Sequence, residues 1–278
     1  MSTTSVEPAT PTSYVPSRRT VLRAAAWTAP AVSVAVAVPA YAACSPAAAP
    51  VQGVIDWDAT TGSRWNRRSI FSRDSDSRGG SYTLSQPGAD PLLVTVRAGY
   101  ENSMRPLTGW TMRTHSPVGG LANVSGLCLA QYNLGDNART SNRRLDRGTY
   151  TFTFARPVTN LYFTVTDIDS LPGDYLDMIE VSAVVPHTEM GPKGAGVKGA
   201  GTTASPYTAI NGNRQVPDPA SNAGNVAADS GNVRVQFPGA VSSFTITYWN
   251  DVAQFTEDTT QGVWISDMSF QYSPSATC

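Results

Sequence analysis

Lysine is almost missing from this chain: of its 20 basic residues only Lys193 and Lys198 are lysines. Histidine occurs twice, as His115 and His187, and cysteine three times. No basic stripe is present, which excludes an electrostatic footprint for nucleic acid or anionic lipid. An HExxH zinc pattern and a GxSxG nucleophile elbow are both absent, so the common routes to zinc and serine hydrolysis are closed. Helix signals are missing too. After residue 43 no window of about 11 residues carries an apolar stripe at a 3.6-residue period. No apolar run reaches the roughly 20 residues that a membrane helix needs.

What is present begins with an export signal. Residues 17–23 read SRRTVLR, a twin-arginine pattern built on Arg18 and Arg19. The run that follows, 24–38, is modestly apolar and is followed by Ala40-Tyr41-Ala42, a small-x-small cleavage signal. Cleavage after Ala42 leaves 43–278. The leader takes Arg18, Arg19, Arg23 and Glu7 with it, so 17 basic and 20 acidic residues remain, net −3. The expected location is outside the cell, with the chain secreted. Cys44 lies two residues past the cut, which keeps lipidation at that residue as an alternative. Export also permits a disulfide. Cys44 precedes the first strand and Cys278 follows the last, and domain termini often lie close together, so the expected pair is Cys44–Cys278. Cys128, in the apolar GLCLA, is then a buried free thiol.

Strand signals dominate the remainder. Tyr150, Phe152 and Phe154 alternate with threonines, Val233, Val235 and Phe237 with polar residues, and Phe244, Ile246 and Tyr248 with Thr245 and Thr247. Residues 263–272 place Trp264, Met268, Phe270 and Tyr272 on one face. Further strands are expected at 51–57, 81–85, 92–97, 110–115, 127–132, 161–166 and 178–185. Alternation of this kind fits antiparallel sheets packed face to face. The expected fold is all-β, an antiparallel β-sandwich of jelly-roll type, with a closed barrel as its rival. The organisation read from the chain is a signal peptide at 1–42, a linker at 43–50, one β-sandwich domain at 51–273 and a tail at 274–278. Two polar segments, 58–80 and 186–231, are too long for ordinary turns, and loops of that length often carry function.

The stretch YFTVTDIDSLPGDYLDMIEV, 162–181, carries five acids. Alternate strand residues share a face. Asp167 and Asp169 continue the apolar parity of Leu161, Phe163 and Val165. Asp177 continues that of Ile179 and Val181 backward. An antiparallel hairpin of these two strands gathers the three carboxylates on the core side of one rim, while Asp174 stays in the loop and Glu180 faces solvent. Inward carboxylates need partners. A Ca²⁺ ion, an arginine drawn from Arg143, Arg144 and Arg147, or a bulge turning the acids into solvent would each serve. The candidate metal set is Asp167, Asp169, Asp177 and Asn250, the last because it continues the parity of Phe244, Ile246 and Tyr248. The same carboxylates could serve a glycosidase, which needs two of them about 5–9.5 Å apart. Trp57, Trp65, Trp110 and Trp249 are candidates for stacking on sugar faces.

The blocks LYFTVTDIDS, YLDMIEVSA, GAGTTASPY, FPGAVSSFTITYWN and VWISDMSFQY, within about 148–272, resemble the lectin-like non-repetitive adhesive domain of bacterial fibrillar surface adhesins and related exported actinobacterial proteins. The resemblance implies a β-sandwich used for binding rather than chemistry. The function expected is therefore recognition of an extracellular glycan or protein surface. A secreted polysaccharide hydrolase and a structural envelope protein are the alternatives.

Overall fold

A computed structural model describes residues 49–57, 71–134, 143–210, 229–252 and 260–275. Residues 1–48, which include the expected export leader and Cys44, as well as Cys278, Trp65 and much of the two long polar segments, fall outside the described residues. Every strand pairing among the described residues is antiparallel, and the only helical element there is one 3-10 turn at Arg143–Leu145.

The strands are β1 (Val51–Ile55), β2 (Ser72–Arg73), β3 (Gly79–Gln86), β4 (Ala89–Tyr100), β5 (Met104–Pro106), β6 (Thr114–His115), β7 (Gly126–Asn133), β8 (Arg147–Thr166), β9 (Ser170–Leu171), β10 (Tyr175–Ala183), β11 (Thr188–Glu189), β12 (Val197–Lys198), β13 (Tyr207–Ala209), β14 (Val233–Phe237), β15 (Val241–Asn250), β16 (Thr260–Ser266) and β17 (Met268–Tyr272). Strand β8 organises them. Its first half lies between β4 and β15, and the layer continues through β3 on one side and through β10, β13 and β12 on the other. Its second half lies between β14 and the pair β16 and β17, and that layer continues to β11, β1 and β7.

Sequence patterning reads residues 148–154 and 161–166 as two strands. The structure makes them one strand with a bulge. Gly148, Tyr150, Phe152, Phe154 and Val158 are buried, then Leu161, Phe163 and Val165. The switch falls at Asn160, whose φ is 52°, and the β17 register shifts opposite it, between Ser269 and Gln271. One extra residue changes which side chains face inward and bends the strand. Pro157, which lacks an N–H, sits inside this bend, where a missing ladder donor is tolerated.

The two layers meet through aromatic rings. Phe244 of the first layer stacks on Phe163 of the second at 4.9 Å and lies 5.5 Å from Phe237. Phe154 meets Phe270 edge-on at 5.4 Å. A second parity switch at Asp267 separates β16 from β17. Val263 and Ile265 face the main core before it, and Met268, Phe270 and Tyr272 after it. Trp264 therefore leaves the face expected for it and joins Val118, Cys128 and Ala130 in a small second cluster under residues 107–124. Residues 110–113, expected in a strand, form a turn ahead of the two-residue β6.

Candidate functional site

The three carboxylates singled out by parity are buried: Asp167 is 6% exposed, Asp169 2% and Asp177 1%. The long hairpin expected of 161–166 with 178–185 does not form, though its tip does. β10 pairs with β15 and β13 in the first layer, while the second half of β8 belongs to the other layer. A short hairpin of Ser170–Leu171 with Tyr175–Leu176 closes the segment on itself, and the Asp177 N–H donates to the Asp169 carbonyl at 3.2 Å, which sets Asp169 opposite Asp177. Asp169 and Asp177 therefore meet across this short hairpin, at the rim where the chain crosses between the two layers.

The crossing is held by specific bonds. Asp167 takes a φ of 71°, a left-handed conformation that Asp tolerates better than most residues. Ile168 plugs the core with no exposed surface, and its N–H donates to the Gly231 carbonyl at 3.2 Å. With Ile168 turned inward, Asp167 and Asp169 are both left to line a cavity. Asp177 stands behind them. Its Oδ2 accepts the Asp169 N–H at 3.1 Å and its Oδ1 accepts the Tyr248 hydroxyl at 2.7 Å. Asn250 lies directly opposite Asp177 across the β10–β15 ladder. Its Oδ1 accepts the N–H groups of Leu176 and Val252 at 3.0 and 2.9 Å, and its Nδ2 donates to the Asp174 carbonyl at 3.1 Å. Asp177 and Asn250 thus fasten the crossing.

The arginines expected nearby pair elsewhere. Arg144 grips Glu180 with two bonds of 2.6 and 2.8 Å, Arg147 reaches Glu101, and Arg143 lies 3.9 Å from Asp251. Glu180, expected in solvent, is buried under Arg144 and Thr203. The outer face of β10 is covered by chain segments that strand parity does not register. Trp249 is likewise buried, with Arg144 over its ring at 5.7 Å. Trp57 is in the main core.

Burial, together with the neighbouring Asp169 carboxylate, raises the Asp167 pKa well above the usual carboxyl range. Burial and Asp169 also raise Asp177, against the opposing pull of the Tyr248 hydroxyl and the Asp169 N–H. Among the described residues no group of three or more His, Cys, Asp or Glu is arranged to hold a metal ion.

The cavity has a volume of about 330 Å³, at the lower end of the ~300–1,000 Å³ typical of small-ligand sites. Trp110, Trp264 and Tyr175 supply aromatic wall, and Asp167, Asp169 and Gln261 supply polar groups. The Tyr175 hydroxyl donates to Asp169 Oδ2 at 3.1 Å. Gln261 is only 7% exposed, yet among the described residues neither its Oε1 nor its Nε2 has a hydrogen-bond partner. A buried amide with nothing bound to it is costly. Its burial was legible in principle, since Gln261 continues the inward parity of Val263 and Ile265, but that parity gives no sign that it borders the cavity. Trp110 was among the stacking candidates, whereas Trp264 and Tyr175 were not, because the cavity depends on the break at Asp267 and on the crossing. Cys128 lines the same cavity as a buried free thiol, its pKa raised by burial and by Asp167. No family model, no curated protein and no solved structure matches this chain.

Proposed function

We propose that this is an exported, non-enzymatic β-sandwich that binds an extracellular glycan in the cavity beside the Asp167–Asp169 crossing. One observation carries the reading: aromatic wall from Trp110, Trp264 and Tyr175 stands with the Asp167 and Asp169 carboxyls around one cavity. Aromatic faces stack on the C–H face of a sugar while amides and carboxylates take its hydroxyls, so this mixture suits a ligand with one apolar and one polar aspect. The twin-arginine pattern and the resemblance to adhesin domains support an extracellular binding role. A hydrolase is less well supported. Asp167 and Asp169 stand two residues apart on one segment and line the cavity from one side, whereas acid and base must flank the scissile bond.

The test is a glycan array followed by calorimetry on the leading hits, alongside a reducing-sugar assay. Trp110→Ala is expected to weaken binding by about tenfold, the scale of one lost aromatic contact. No sugar release is expected. Turnover that disappears in Asp169→Asn would assign the cavity to hydrolysis instead.

A further inference from the structure

We propose that the cavity selects sugars that carry an acetamido group; this rests on the glycan reading above and deepens it. Strand order gives the cavity two unlike sides. Thr260, Gly262 and Trp264 share the face of β16 that turns away from Val263 and Ile265. Gly262 and Trp264 lie opposite Ala130 and Cys128 of β7, and Leu107 and Trp110 pack against this cluster. The other edge of β16 meets the end of β8, where Trp264 lies opposite Thr166. The crossing that carries Asp167, Asp169 and Tyr175 therefore begins on the far side from β7. The β7 side is apolar, and the crossing side presents carboxyls and a hydroxyl. Leu107, Trp110 and Gly262 are half-buried, so a ligand in the cavity meets them directly.

An unsubstituted hexose carries hydroxyls around its rim. A hydroxyl turned toward Leu107 and Gly262 would leave water for a wall of carbon, which is costly. A methyl group is stabilised there instead, because it buries apolar surface. The acetamido group places such a methyl beyond a polar amide. With the methyl over Gly262, the amide N–H is left to the Asp167 carboxyl and the amide C=O to the Thr260 hydroxyl, both on the cavity wall. A 6-deoxy sugar also carries a methyl but has no N–H beside it for Asp167. Gly262 leaves the room. A Cβ placed on it would have Ala130 Cβ at 3.3 Å and Cys128 Sγ at 3.7 Å among its nearest neighbours. A larger side chain in place of Gly262 would therefore occupy the floor of the cavity.

The experiment is calorimetry of the full chain with chitotriose, cellotriose and fully deacetylated chitotriose, which share ring and linkage and differ in one substituent. The expected result is about tenfold tighter binding of chitotriose than of either other trimer. Gly262→Val fills the floor and Leu107→Ser removes apolar wall. Each should bring the three affinities to within about twofold of one another. Thr83→Val, at an exposed position of β3, should keep the preference. Circular dichroism confirms that each variant is folded, and Leu107→Ser decides alone if Gly262→Val is not. Equal affinity for chitotriose and either other trimer overturns the acetamido inference and leaves the glycan reading standing. A preference that survives in the folded cavity variants overturns it too. Where the trimers fail and another array glycan binds, the lack of an acetamido group in that glycan has the same consequence. Failure of all three trimers and of every glycan on the array removes both readings.

Discussion

At the scale of single residues, the clearest pH dependence comes from Asp267, away from the cavity. Its carboxylate takes the Trp57 N–H at 3.2 Å, the Ser125 N–H at 3.1 Å and the Ser125 hydroxyl, which also reaches Asp56 at 2.9 Å. Burial, opposed by the Ser125 hydroxyl and reinforced by Asp56, raises its pKa from 3.8 to about 6. The folded state therefore binds this proton more tightly than the unfolded state does. Stability should fall as pH rises from 3.8 to about 6 and lose no more from this group above that. The full span is on the order of 3 kcal/mol. Asp167 and Asp177 titrate in the same sense, so the contribution of Asp267 is isolated by difference. Urea melts across that window should show a flatter slope for Asp267→Asn than for the parent, and equal slopes would refute the assignment.

At the scale of elements, the bulge in β8 decides more than any one contact. Deleting Asn160 restores one unbroken alternation along Arg147–Thr166 and turns Leu161, Phe163 and Val165 away from the core if the first half keeps its register. Such a chain is expected not to fold, and a native-like melt from it would show that the bulge is dispensable. The milder Asn160→Val places a β-branched residue at a φ of 52° and should cost about 1–3 kcal/mol, while Asn160→Gly should stay within a few tenths. The same element shows what sequence patterning could and could not read. Both halves were legible, because each alternates cleanly. Their union was not, since a bulge and two separate strands leave the same parity switch behind. The burial of Asp167, Asp169 and Asp177 was legible, but the face of the first two was not, because Ile168 takes the core and turns them to the cavity, and parity is silent about which strands lie alongside.

At the scale of the whole molecule, both layers share β8 and one aromatic core, with Phe244 touching Phe163 and Phe237 across the gap. Neither layer can lose its order without exposing the other. Near-ultraviolet and far-ultraviolet melts should superimpose in one transition, and Phe244→Ala should shift both together by a loss of about 3–5 kcal/mol. Two resolved transitions would mean that the layers unfold separately. Cys128 offers a third probe. Buried, with its thiolate disfavoured by burial and by Asp167, it should resist thiol reagents in the native state and react only as that transition proceeds.

The sequence alone determined the all-β class, the inward side of most strands and the burial of three aspartates. These follow from periodicity and short motifs, which are local. Only the tertiary structure decided that the hairpin joining Asp169 to Asp177 is a short one, at the crossing between two layers. It also decided that Glu180 is covered, that Asn250 is bound to backbone, and that Gln261 and Trp264 border the same cavity as Asp167 and Asp169. The reason is that parity assigns a side chain to a face, while a site is made by the distance between faces. That distance is set by strand pairing between residues such as Trp264 and Thr166, nearly a hundred positions apart in the chain.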